Sequence, residues 1–186
     1  MAATIQVVRK TGASPGAAAD ITAVNTRANA DDTNSAASIA NGIRVPQAPN
    51  TNYSYWISTR LNCTVTPVGT IDNLRWYTDG VNGFGSSITC KAAKASTGAD
   101  AGYRQATGTQ GVSGTQLTQA NHSGLDAAPV DVFSFTVAAV LVLAGSITNP
   151  STGQFGDHVV YQIGGDSTTP FGATPQETFT WAFDET

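Results

Sequence analysis

Residues 53–65 read YSYWISTRLNCTV. Tyr53, Tyr55, Ile57, Leu61, Cys63 and Val65 share one parity, and Ser54, Ser58, Arg60, Asn62 and Thr64 share the other, with Trp56 the exception. Side chains alternate across a strand with a period of two, so this stretch is expected to be a long strand with one buried and one polar face.

Pro67 and Gly69 end that strand and residues 71–78 offer another. In residues 79–85, DGVNGFG, three glycines sit with an Asp and an Asn. A calcium loop of the EF-hand kind needs oxygen ligands at alternate positions and a closing Glu, and Asp79 and Asn82 have the wrong spacing. Asp-Gly and Asn-Gly supply the positive φ angles of hairpin turns, so DGVNGFG is read as a turn between two strands. Residues 87–95 continue with Ile88, Cys90 and Ala92 alternating.

Residues 96–124 are rich in Gly, Thr and Gln, with short pieces around Tyr103 and Leu117. Further strands are expected within 130–143, at 157–163 and at 178–183, where Phe179, Trp181 and Phe183 alternate with small or polar residues. Helical spacing is missing, and the Ala-rich 17–30 carries β-branched and Asn residues that weaken a helix. At least seven strands between Gly, Pro and Asn turns point to an all-β protein, an antiparallel β-sandwich of jelly-roll or Ig-like type.

Residues 9–52 differ. They hold no aromatic residue and are dominated by Ala, Asn, Asp, Ser and Thr. Short strands are expected at 4–8, 21–24 and 39–45, with too little between them to bury. The expected division is an extended N-terminal arm over 1–52 and a sandwich domain over 53–186, joined by the turn residues around Pro46 and Pro49.

Only 12% of the 186 residues are charged, against a usual share of about 25%. With a net charge of −4 and no Lys/Arg run, a grip on nucleic acid or on an anionic membrane is not expected. The longest apolar run, residues 137–144, is far short of the roughly 20 a membrane helix needs. The opening MAATIQVVRKTG has no stretch apolar enough for a secretory signal, so cytoplasmic synthesis is expected. Cys63 and Cys90, 27 positions apart, lack metal or redox spacing. They are read as two buried free thiols, with a disulfide open to them in an oxidising compartment.

Catalytic, cofactor and metal residues are not expected. His122, Ser123 and Asp126 cluster within one loop, whereas a triad draws its members from separate elements onto one hydrogen-bonded line. His158 is read as a partly exposed strand histidine. Asp residues at strand ends, among them Asp79, Asp100, Asp131 and Asp166, are read as turn formers. Trp56 breaks the parity of its strand, and Trp76 and Tyr77 point to opposite faces. These three aromatics are therefore the expected partner-contact residues.

The stretches YSYWISTR (53–60), NLRWYTDG (73–80), Tyr161-Gln162 and ETFTWAFDE (177–185) occur together in a way that resembles the capsid decoration, or cement, proteins of tailed bacteriophages. The likeness covers roughly residues 53–186. It implies a non-enzymatic virion protein, made in the host cytoplasm, that sits on the outer capsid surface. There it would bind across junctions of the major capsid protein, as a dimer or trimer of itself, and stabilise the head. Two other readings stay open: a carbohydrate- or receptor-binding module with Trp56, Trp76 or Trp181 as a stacking platform, and a tail-tube or head–tail connector component.

Overall fold

The computed structural model describes residues 2–96 and 101–186, so Asp100 and part of the Gly/Thr/Gln-rich tract lie outside the described residues. The early strands are β1 (Thr4–Thr11), β2 (Ala17–Asp20), β3 (Thr51–Tyr53), β4 (Ile57–Val65), β5 (Thr70–Tyr77) and β6 (Ile88–Ala95). Short pieces follow: β7 (Gly108–Thr109), β8 (Ser113–Gly114), β9 (Val130–Asp131), β10 (Leu141–Val142) and β11 (Ile147–Thr148). The long β12 (Gly153–Asp166) and the final β13 (Thr180–Glu185) complete the set.

Two antiparallel sheets carry the fold. The larger has the order β2-β1-β4-β12-β6-β9, with β3 added on β12. The smaller places β5 between β13 on one side and β10 and β11 on the other. Between the sheets lies a core of Ile57, Leu61 and Cys63 from β4, Leu74 and Trp76 from β5, Cys90 from β6, and Val159 and Tyr161 from β12. This is the face that alternation marks as apolar, and the all-β sandwich arrangement holds.

The polar parity of β4 is buried as well. Ser58 is 1% exposed and Arg60 6%. The reason is a covering layer of irregular chain on the far side of the large sheet. Tyr55, Trp56, Ala106, Leu117 and Leu125 pack there on Ala93, Ala95 and Val160. The larger polar groups facing this layer find partners: Arg60 Nε donates to Gly156 O at 2.7 Å, and Gln162 holds three backbone groups, while the Ser58 hydroxyl has none among the described residues. Burial of that kind is tolerable only with such bonds in place.

The expected division at residue 52 needs correcting. β1 is an interior strand of the large sheet, paired from Thr4 to Lys10 with β4 and from Val8 to Thr11 with β2. Val8, Arg9 and Lys10 are buried. The sparse apolar content of the segment conceals this, because its buried hydrophobic residues are few: Val8 in β1, and Ile21 and Ala30 beyond it. Of the other expected pieces, neither 21–24 nor 39–45 forms a strand. The first runs on beside β1, where Ile21 N bonds to Val7 O and Thr22 Oγ1 accepts from Val7 N; the second bonds through Asn41 O to Ala30 N and through Arg44 N to Val112 O.

DGVNGFG does connect two strands, but not as a hairpin. β5 belongs to the small sheet and β6 to the large one, so the loop carries the chain from one layer to the other. Its polar residues hold it: Asp79 accepts from Val81 N, Asn82 accepts from Phe84 N, and the Asn82 amide donates to Gly85 O and Ile88 O. Within 130–143 only the ends are strands. A single 3-10 turn, Val132–Ser134, capped by the Asp131 carboxylate, drives Val132 and Phe133 into the core.

Candidate functional site

The three aromatics expected at a partner surface separate sharply. Trp76 is fully buried, with ring centroids of Phe179 at 5.1 Å, Phe135 at 5.9 Å and Tyr161 at 6.5 Å. Trp56 is 4% exposed, and its Nε1 donates to Arg104 O at 3.2 Å in the covering layer. Neither can reach a partner on this fold, and that expectation is corrected for both. A sandwich with both faces of its large sheet covered has two cores, and each tryptophan fills one. Trp181 is half-buried against the inter-sheet core.

Tyr77 is the one that remains. It follows Trp76 on β5, so it projects from the outer face of the small sheet, beside its register partner Thr180. It walls a cleft of about 230 Å³ with Thr78, Asp79, Thr136, Val137, Thr178 and Thr180. Val137 is 76% exposed, and Val142, on the same outer face opposite Arg75, is 64% exposed. Further along this face Arg75 Nη2 meets Asp184 Oδ1 at 2.5 Å, and Asn73 donates to the other oxygen of the same carboxylate. The C-terminal acidic residues thus lie on a paired strand, not on a loose tail.

A second depression, of about 220 Å³, opens on the opposite side of the molecule. Tyr53, Ser87, Thr89, Lys91, Gln162 and Asp166 are among its walls. Sequence reading did not single it out, because its residues come from β3, β6, β12 and two loops. What brings those segments together is strand pairing between distant parts of the chain, which leaves no local trace.

The histidines and carboxylates do not converge on chemistry. His122 is fully buried, its ring edge-on to Trp56 at 5.4 Å, and burial lowers its pKa to about 4. Ser123 Oγ accepts from Arg104 Nε, and Asp126 binds Ser96 and faces Lys94 at 3.6 Å, so the three cluster members look in different directions. His158 is also fully buried, not partly exposed as expected, with its ring 6.4 Å from that of Tyr103. It occupies the same covered face as Arg60. Asp79, Asp131 and Asp166 each accept from a backbone N–H two residues ahead, as turn formers do. Among the described residues no group of three His, Cys, Asp or Glu side chains could hold a metal ion. No described helix is long and apolar enough to cross a membrane.

Cys63 and Cys90 are free and buried. They lie on β4 and β6, with β12 between them. Burial raises both thiols above the usual range, Cys90 the more strongly. The chain matches no family model, no curated protein and no solved structure.

Proposed function

We propose that this protein is a structural component of a tailed-phage virion, a decoration protein that binds across major capsid protein junctions and stabilises the head. The observation that carries the reading is the outer face of the small sheet. There Tyr77 sits in a cleft beside Val137, with Val142 exposed on the same face. An apolar patch rimmed by Thr and Asp side chains is the usual mark of a protein contact. A half-buried tyrosine brings contact area at low entropic cost. Few charges anywhere on the chain agree with a contact made by shape and hydrogen bonding. Self-association as a dimer or trimer would multiply weak single contacts over the many equivalent sites of a capsid. Attachment is to the outer capsid surface, after synthesis in the host cytoplasm.

The test is to mix the purified protein with capsids that lack it, then follow co-sedimentation and image the particles. The wild type co-sediments and delays thermal rupture of the heads. Val137→Lys folds normally but stays in the supernatant. Failure of the wild type to bind any capsid, or its hydrolysis of a glycan, overturns the proposal.

A further inference from the structure

The depression around Tyr53 has no part in the docking reading, and it lies on the other side of the molecule. Tyr161 and Ile163 of β12 face the small sheet, so Gln162 and Gly164 face away from it. Tyr53 pairs with Gly164, and Gln162 with Lys91, so these walls rise from the far face of the large sheet.

Three features make this a built pocket. Its floor is fixed, because the Gln162 carboxamide accepts from Leu117 N at 2.6 Å and donates to Ser54 O and Thr115 O at 2.6 and 2.8 Å. An amide with its bonding capacity engaged in this way holds one orientation. One wall is aromatic: the Tyr53 ring lies so close over Gly164 that an added Cβ there would come within 3.0 Å of two ring carbons. The rim is polar on both sides. Asp166 is oriented by two bonds from Thr168 to Oδ1, at 2.7 Å each, while Oδ2 receives none from the described residues. Lys91, exposed on the same face, forms no ion pair among the described residues. Ser87 and Thr89 add hydroxyls between them.

We infer that this pocket binds a single saccharide ring, such as the terminal sugar of a surface glycan. An aromatic wall takes the C–H face of a sugar, and hydroxyls are donors and acceptors at once. They can therefore bridge an ammonium, a carboxylate and Ser/Thr side chains in one small volume. A volume of about 220 Å³ is below the ~300–1,000 Å³ of pockets for drug-sized ligands, which limits the occupant to one ring. One lysine beside one carboxylate is a poor seat for a phosphorylated ligand, which calls for clustered cations or helix N-termini. Docked by the Tyr77 face, the molecule would hold this pocket outward.

The probe is a panel of neutral and N-acetylated monosaccharides titrated into isotope-labelled protein and followed by amide NMR shifts. The expected result is saturable shifts at Tyr53, Thr89, Lys91, Gly164 and Asp166 with at least one sugar. Tyr53→Ala should weaken binding roughly tenfold, as should Lys91→Met, whose exposed position spares the fold. Capsid co-sedimentation should be unchanged in both variants, so this inference and the docking proposal fail separately. Absence of saturable shifts with every sugar, or shifts centred on Tyr77, overturns it. Loss of capsid binding in Lys91→Met also overturns it, by placing the pocket inside the docking face.

Discussion

Trp56 and His122 meet edge to face with ring centroids 5.4 Å apart, and neither imidazole nitrogen has a hydrogen-bond partner among the described residues. The imidazole is buried neutral, its pKa lowered from 6.5 to about 4, first by burial and to a lesser degree by Arg104. The unfolded chain therefore takes up a proton at pH values where the folded chain does not. Stability should fall as pH drops from about 6.5 to about 4 and level off below. At about 1.36 kcal/mol per unit the loss is at most on the order of 3 kcal/mol. Urea unfolding at a series of pH values measures it. His122→Phe, which keeps the ring, should flatten the slope; an unchanged slope would assign the effect elsewhere.

Trp76 and Tyr77 are neighbours in sequence with opposite roles. Trp76→Ala should cost about 3–5 kcal/mol, as large-to-small changes at full burial do. Tyr77→Ala should cost much less, yet reduce capsid binding. Thermal denaturation beside co-sedimentation separates the two, and equal stability losses would contradict the assignment of faces.

Gly145 and Gly156 touch backbone to backbone: a Cβ on Gly145 would lie 2.5 Å from Gly156 Cα, and the φ of Gly145 is +109°. Gly145→Ala therefore meets both backbone strain and a clash with main chain, which cannot swing away. Gly12, at φ +83° with nothing within 4 Å, meets the strain alone. Gly12→Ala should lose roughly 1–2 kcal/mol and Gly145→Ala clearly more, read from denaturant midpoints.

Arg75 and Asp184 tie β5 to β13 across a surface where both side chains remain about 40% exposed (38% and 44%). A double-mutant cycle should give a coupling below about 1 kcal/mol that shrinks in high salt. Deleting residues 179–186 should be far more damaging, since it removes Trp181 and the strand that closes the edge of β5.

The thiols of Cys63 and Cys90 should not react with a thiol reagent in the native protein. Both should react at the rate of unfolding once denaturant is added, since burial disfavours the nucleophilic thiolate. Rapid native labelling of either would show an opening of the sheet that the structure does not.

The strands were most legible where alternation showed, in β4, β6 and β13; in β5 the buried Ile71 and Leu74 fall on opposite parities, and in β12 the neighbours Val159 and Val160 are both buried. What the sequence concealed was the second buried face. Ser58, Arg60 and His158 read as solvent-facing because a period of two says only which side chains share a face, not whether that face is covered. The partners lie far along the chain, as with Arg60 and Gly156, 96 residues apart. One signal was present. Trp56, the residue that broke parity, marks the covered side. β1 was legible as a strand, but its place inside the sheet was not, because pairing with β4 leaves no local trace. The Tyr53 pocket drew on several separate segments, none with a motif.

The crossing made by residues 79–85 bears on how the chain folds. β4 must wait for β12, and β5 for β13, so neither sheet can close until residues 166 and 185 have left the ribosome. Ordering so many non-local pairings belongs to the slow end of single-domain folding, about milliseconds to seconds. Until β12 emerges the nascent chain carries unmatched edges on β4 and β6, which makes synthesis the moment of greatest exposure to misassembly.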